Sequence, residues 1–119
     1  MKKTLIIGAS PNPERYSYKA AHMLKSKGHS IINVGIKKGA VAGEEIEQPG
    51  HVHNDIDTIT LYIGPHLQSS YYNYILETKP KRVIFNPGAE NQELWELLLA
   101  NNIEPIEACT LVLLATGQF

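Results

Sequence analysis

The sequence predicts an α/β protein, a five-stranded parallel sheet in the order 3-2-1-4-5 with helices on both faces. Three observations carry that expectation. Short apolar runs alternate with amphipathic stretches in a β-α-β-β-α-β-α-β rhythm. The first run, Thr4-Leu5-Ile6-Ile7, is apolar without alternation, as in a strand buried on both faces. Finally, 119 residues, 43% hydrophobic and 19% charged, suffice for one core and leave no room for separate cofactor and substrate domains.

The elements follow in order. After the first strand, Gly8-Ala9-Ser10-Pro11-Asn12-Pro13 is a turn-rich loop. A helix from Ser17 to Lys27 follows, with Ser17 as its cap, Ala20, Ala21 and Leu24 as its inward stripe and Gly28 as its stop. His29 to Val34 is the second strand. The segment from Gly35 to Asp55 is polar and irregular, with a short extended piece near Glu44 to Glu47. Asp57 to Ile63 is the third strand. A helix from His66 to Thr78 presents Leu67, Tyr71, Tyr74 and Ile75 at helical spacing. Pro80 separates it from the fourth strand, Arg82 to Asn86. Asn91 caps a helix reaching Asn101, which buries Leu94, Trp95, Leu97 and Leu98. Glu104 to Ala108 is the fifth strand, and Thr110 to Ala115 a last short helix stopped by Gly117.

Charge and composition exclude several functions. Eleven Lys and Arg against twelve Asp and Glu give a net charge of −1, without the basic excess of a non-specific nucleic-acid binder. One cysteine, Cys109, forms neither an internal disulfide nor a cysteine-based zinc cluster, and points to a reducing cytoplasm. The opening apolar run is too short for a secretory signal, and no stretch approaches a membrane span.

The order 3-2-1-4-5 opens a crevice at the carboxyl ends of strands one and four. Loops that follow strands face it. Lys2, Lys3, Lys81 and Arg82 precede strands, and Lys25 and Lys27 close a helix at the far edge, whereas Arg15, Lys19, Lys37 and Lys38 fall on the crevice side. Gly8 lets the first loop turn tightly, Ser10 and Asn12 supply short polar groups, and the helix start near Ser17 aims free N–H groups at the same place. That is a cradle for a phosphate or pyrophosphate. The dinucleotide fingerprint fails, because Ser10 stands where its second glycine belongs, and the nucleotide-triphosphatase loop is absent. The second strand ends Val34-Gly35-Ile36-Lys37-Lys38, with two lysines where NAD-binding domains carry an acid. This favours a phosphorylated ribose, which NADP and coenzyme A (CoA) share. The fourth strand ends Phe85-Asn86-Pro87-Gly88-Ala89-Glu90-Asn91, where Gly88 allows close backbone approach; Ile63-Gly64-Pro65 adds a small apolar lip for a flat base.

The run from Gly8 through Arg15 and Ser17, the segment Asn86-Pro87-Gly88-Ala89-Glu90-Asn91, and Glu107 to Leu111 with Thr116 to Phe119 resemble the small stand-alone CoA-binding proteins. Their fold is similar to the N-terminal domain of the succinyl-CoA synthetase α subunit. The resemblance spans essentially the whole chain and implies a Rossmann-like three-layer domain that binds CoA or an acyl-CoA. It implies that Gly8-Ala9-Ser10 holds the pyrophosphate with Asn12, Arg15 and Ser17 beside it, and that Lys37 meets the phosphorylated adenosine end. Many members carry N-P-[KR] at that point; here the segment is Gly35-Ile36-Lys37. The synthetase's phosphorylated histidine belongs to a further domain, so that activity is not implied.

No residue set reads as catalytic machinery or as a metal site. His66 is the histidine nearest the crevice and reads as a solvated or capping side chain. His51-Val52-His53-Asn54-Asp55 spaces two imidazoles as a metal pair would, but Pro49-Gly50 before it make it a polar turn. Cys109, in an apolar setting, reads as a buried inert thiol. Two rivals share these features: an NADP-dependent oxidoreductase, which lacks the glycines and a placed proton donor, and a ligand-free interaction module. The apolar tail Leu111-Val112-Leu113-Leu114 is the candidate face for pairing two copies of the chain.

Overall fold

The computed structural model describes residues 1–119. Its strands are β1 (Thr4–Ile7), β2 (Ile31–Val34), β3 (Ala40–Val41), β4 (Glu44–Glu47), β5 (Thr58–Leu61), β6 (Arg82–Phe85) and β7 (Glu104–Glu107). Its helices are α1 (Tyr16–Ser26), α2 (Pro65–Gln68), α3 (Tyr72–Thr78), α4 (Gln92–Ala100) and α5 (Thr110–Ala115), with a 3₁₀ turn at Ser69–Tyr71. The sheet has seven strands in the order β3-β4-β2-β1-β5-β6-β7. All neighbours are parallel except the β3–β4 hairpin.

Alternation along the central strand builds two cores. Leu5 and Ile7 point to one face, where Tyr74, Ile75, Leu94 and Leu98 of α3 and α4 cover them. Ile6 points to the other, against Ala21 and Leu24 of α1 and Leu114 of α5. Each β1 residue is fully buried, so the absence of polar alternation in the sequence is the direct signature of its central position.

The five-stranded order is corrected. The piece near Glu44 to Glu47 is a true strand, with Ile46 opposite Asn33 and Glu47 opposite Val34. It occupies the place beside β2 assigned to the third predicted strand, and Thr58–Leu61 instead lies on the other side of β1. The buried Asn33 amide fastens this edge by donating to the Val41 and Glu44 carbonyls, both at 3.1 Å. Three acids in four residues hide β4 from a hydrophobicity reading, because at a half-exposed sheet edge only Ile46 has to pack inward. The winding therefore reverses between β1 and β5, and β6 stands one strand further out.

Two helices also depart from expectation. The α1 cap is Arg15, without a side-chain bond, and Ser17 sits inside the first turn, buried. The predicted helix from His66 to Thr78 is broken by the 3₁₀ turn, whose tighter winding shifts the inward stripe. Leu67 is left 52% exposed, and Gln68 takes the inward place at 0%. Asn91 caps α4 as expected, accepting from the Leu94 N–H at 3.3 Å. No helix is long and apolar enough to cross a membrane.

Candidate functional site

A cleft of about 600 Å³ opens at the carboxyl edge of the sheet, over the ends of β1, β2, β5 and β6. It gathers Gly8, Ala9, Ser10, Arg15, Ser17, Lys37, Gly64 and Gly88 from the sequence-predicted set. Asn12, Lys38 and Pro65 are not among its walls. Asn12 builds the loop instead: its Oδ1 accepts from the Glu14 N–H at 3.0 Å, and its own N–H donates to Ser10 Oγ at 3.2 Å. Lys38 is exposed beside the cleft, and Pro65 opens α2.

The loop after β1 is held by its neighbours. The Gly8 and Ala9 N–H groups both donate to the Val34 carbonyl, at 2.9 and 3.0 Å. Gly8 has φ +95°, and a Cβ there would lie 2.9 Å from the Tyr62 main chain. Its glycine is thus required by the approach of the β5 end. Between Gly8 and Ser17 the amides left without an acceptor in the protein are those of Ser10, Tyr16 and Ser17, the last two being the first turn of α1. Arg15 and Lys37 stand beside them, and neither joins an ion pair. Glu14 is the acid on this wall. The helix dipole, free N–H groups and two unpaired cations together favour an anion.

The opposite wall is bound by side-chain amides. Asn86 is buried and saturated: its Nδ2 donates to Thr60 Oγ1 at 2.6 Å and the Leu61 carbonyl at 2.8 Å, while Oδ1 accepts from the Thr110 N–H at 2.9 Å. Gln68 donates to the Ile63 carbonyl at 3.0 Å and the Ala89 carbonyl at 2.7 Å, joining the lip after β5 to the lip after β6. Its Oε1 accepts from Asn91 Nδ2 at 2.9 Å. Gly88 has φ +94° and open space where a Cβ would be; its N–H donates to Glu90 at 2.9 Å. Tyr62 lines the cleft, with a buried hydroxyl that has no partner in hydrogen-bonding geometry. Burial pushes its pKa up to about 12 and also raises that of Tyr71, so both phenols are protonated donors at neutral pH.

Sequence reasoning missed Gly35, Tyr16, Ile36, Tyr62 and Gln68. Gly35 carried a readable signal, a glycine at the end of a buried strand; a Cβ there would meet the Ala9 carbonyl oxygen at 2.6 Å. Gln68 carried none, since a glutamine among serines reads as surface. The histidines lie elsewhere. His66 packs over Gly64 but is not part of the cleft wall. His53 pairs with Glu47 at 2.6 Å and stacks edge-on against His51, while Asp55 turns to Lys3 at 2.9 Å, whose hydrogen bond holds its carboxyl below the usual range. Cys109 is half-buried at the α5 cap, more open than the inert core thiol expected.

The model of a CoA binding domain family matches residues 2–115. Among solved structures, an uncharacterised protein is 59% identical, with a TM-score of 0.98 over 100% of this chain and 98% of the other. A Thermus thermophilus protein is 18% identical, with a TM-score of 0.87 over 99% of this chain and 90% of the other. A hypothetical protein from Pyrococcus horikoshii is 24% identical, with a TM-score of 0.84 over 93% and 80%. At these last two identities the likeness is one of fold. Comparison with curated proteins returns no match.

Proposed function

The chain belongs to the CoA binding domain family, and on that premise we propose that its cleft binds coenzyme A or an acyl-CoA, without catalysis of its own. The observation that carries this reading is the join of Arg15, Lys37 and the free Ser10, Tyr16 and Ser17 amides on one wall. That donor set suits a diphosphate with a ribose phosphate. The Gly8-Ala9-Ser10 loop enters through Ser10, because the other two amides hold Val34. Lys37 meets the ribose phosphate; Lys38, outside the cleft walls, adds only a distant charge.

Calorimetric titration with CoA, dephospho-CoA, NADP and NAD tests this. CoA should bind with micromolar affinity or better and NAD more weakly than either phosphorylated ribose. Lys37→Ala removes a charge-assisted contact of about 1.5 kcal/mol, so CoA should weaken about tenfold and dephospho-CoA far less. Lys38→Ala should change the ratio of the two ligands less than Lys37→Ala does. Equal weakening of CoA and dephospho-CoA by Lys37→Ala would reject that lysine's role. Tighter binding of NADP than CoA would move the oxidoreductase reading ahead.

A further inference from the structure

The cleft is chemically divided along its length. Its β1–β2 side carries both cations and the free amides. Its β5–β6 side is floored by the buried Leu61 and Ala89 and lined by Ile63, Leu67 and Tyr71. Leu67 stands at that wall 52% exposed, a large apolar side chain left in water at the edge of a ligand cleft. The side-chain amides of this half are already bonded within the protein, Asn86 to Thr60, Leu61 and Thr110, and Gln68 to Ile63 and Ala89. The charge nearest Gly88 is negative, the Glu90 carboxylate on its N–H. Neither Arg15 nor Lys37 belongs to this half.

Resting on the CoA reading above, we infer that the ligand is a thioester with an uncharged, apolar acyl group. With the diphosphate on the cationic wall and the base kept on that side by the ribose phosphate at Lys37, the pantetheine arm and whatever it carries, not the base, run along the β5–β6 wall and its Ile63 lip. An acyl chain there covers Leu67 and its neighbours. Each methylene taken out of water strengthens binding about three- to fourfold when fully covered. A carboxylate at the acyl end loses hydration, finds no cation and meets Glu90.

Calorimetric titration of the whole protein with CoA, hexanoyl-CoA and succinyl-CoA decides the matter. Hexanoyl-CoA should bind about tenfold tighter than CoA, and succinyl-CoA no tighter than CoA. Leu67→Ser, at a half-exposed site, should cut the hexanoyl-to-CoA affinity ratio about threefold with the fold checked by thermal melting. A hexanoyl ester that gains nothing over CoA, a succinyl ester that binds better than the hexanoyl one, or a ratio untouched by Leu67→Ser overturns the inference while leaving CoA binding standing. If none of the three ligands binds, the CoA reading falls and this inference falls with it.

Discussion

A Cβ on Gly35 would sit 2.6 Å from the Ala9 carbonyl oxygen, backbone against backbone, with no flexible end to give way. The loop after β1 would have to move off the Val34 carbonyl that anchors it. Gly35→Ala should therefore cost about 2 kcal/mol in urea unfolding, and weaken CoA through the displaced Ser10 amide. Unchanged stability would show that this close approach is not needed. At this scale legibility was uneven. Gly8, Gly64 and Gly88 could be read because each follows a strand in a turn, polar at Gly8 and Gly88 and apolar at Gly64. Gly35 follows one too, but the two lysines after it carry the stronger chemical signal of that segment. Serine favours the cap role, so the sequence points to Ser17; in the fold Ser17 is buried inside the first turn of α1 and Arg15 holds the cap position.

The lips of the cleft belong to different elements, and one side chain ties them. Gln68, the last residue of α2, holds the carbonyls of Ile63 after β5 and Ala89 after β6. Asn91, the α4 cap, extends the chain to the Tyr72 hydroxyl at 2.8 Å, and Tyr72 donates to Glu93 at 2.9 Å. Replacing Gln68 by Leu leaves the buried Ala89 carbonyl without this donor, at about 1–3 kcal/mol, and the half-buried Ile63 carbonyl at a smaller cost. Gln68→Leu should lower the melting temperature and weaken CoA, and Gln68→Met should do the same, because both keep bulk and lose the donor. Wild-type affinity in either would remove Gln68 from the positioning of the cleft. Apart from the Asn91 cap, none of this was readable in the sequence, since polar residues carry no periodic signal. β4 was legible as a short extended piece at its own bounds but not as a member of the sheet, because a strand with one apolar residue in four leaves no alternation to read. The strands with continuous apolar runs, β1 and β6, were legible to within a residue of their bounds, although β6 lies one strand further from β1 than expected.

Over the whole molecule, the cations divide between the two edges of the sheet. At the edge away from the cleft, Lys2 donates from its side chain to the Phe119 main-chain oxygen, and the Arg82 guanidinium lies 4.5 Å from the Phe119 ring centre. Lys3 pairs with Asp55 at 2.9 Å, Lys25 with Glu44 at 3.1 Å and Lys81 with Asp57 at 3.8 Å. Arg15 and Lys37 remain unpaired at the cleft. A chain of net charge −1 thereby keeps local positive charge at the cleft. This partition was legible from topology alone, because residues before and after parallel strands fall on opposite edges even when the order of the outer strands is wrong. What the order did change is the floor: β5, next to β1, brings Leu61, Tyr62 and Ile63 into the cleft.

The most direct test follows the backbone amide resonances of the ¹⁵N-labelled protein as CoA is added. Saturable shifts at Ser10, Tyr16, Ser17 and Lys37, with the edge around Phe119 unmoved, are the predicted result. Resonances that stay in place at millimolar CoA, or shifts gathered at the Phe119 edge, would contradict the assignment of the cleft.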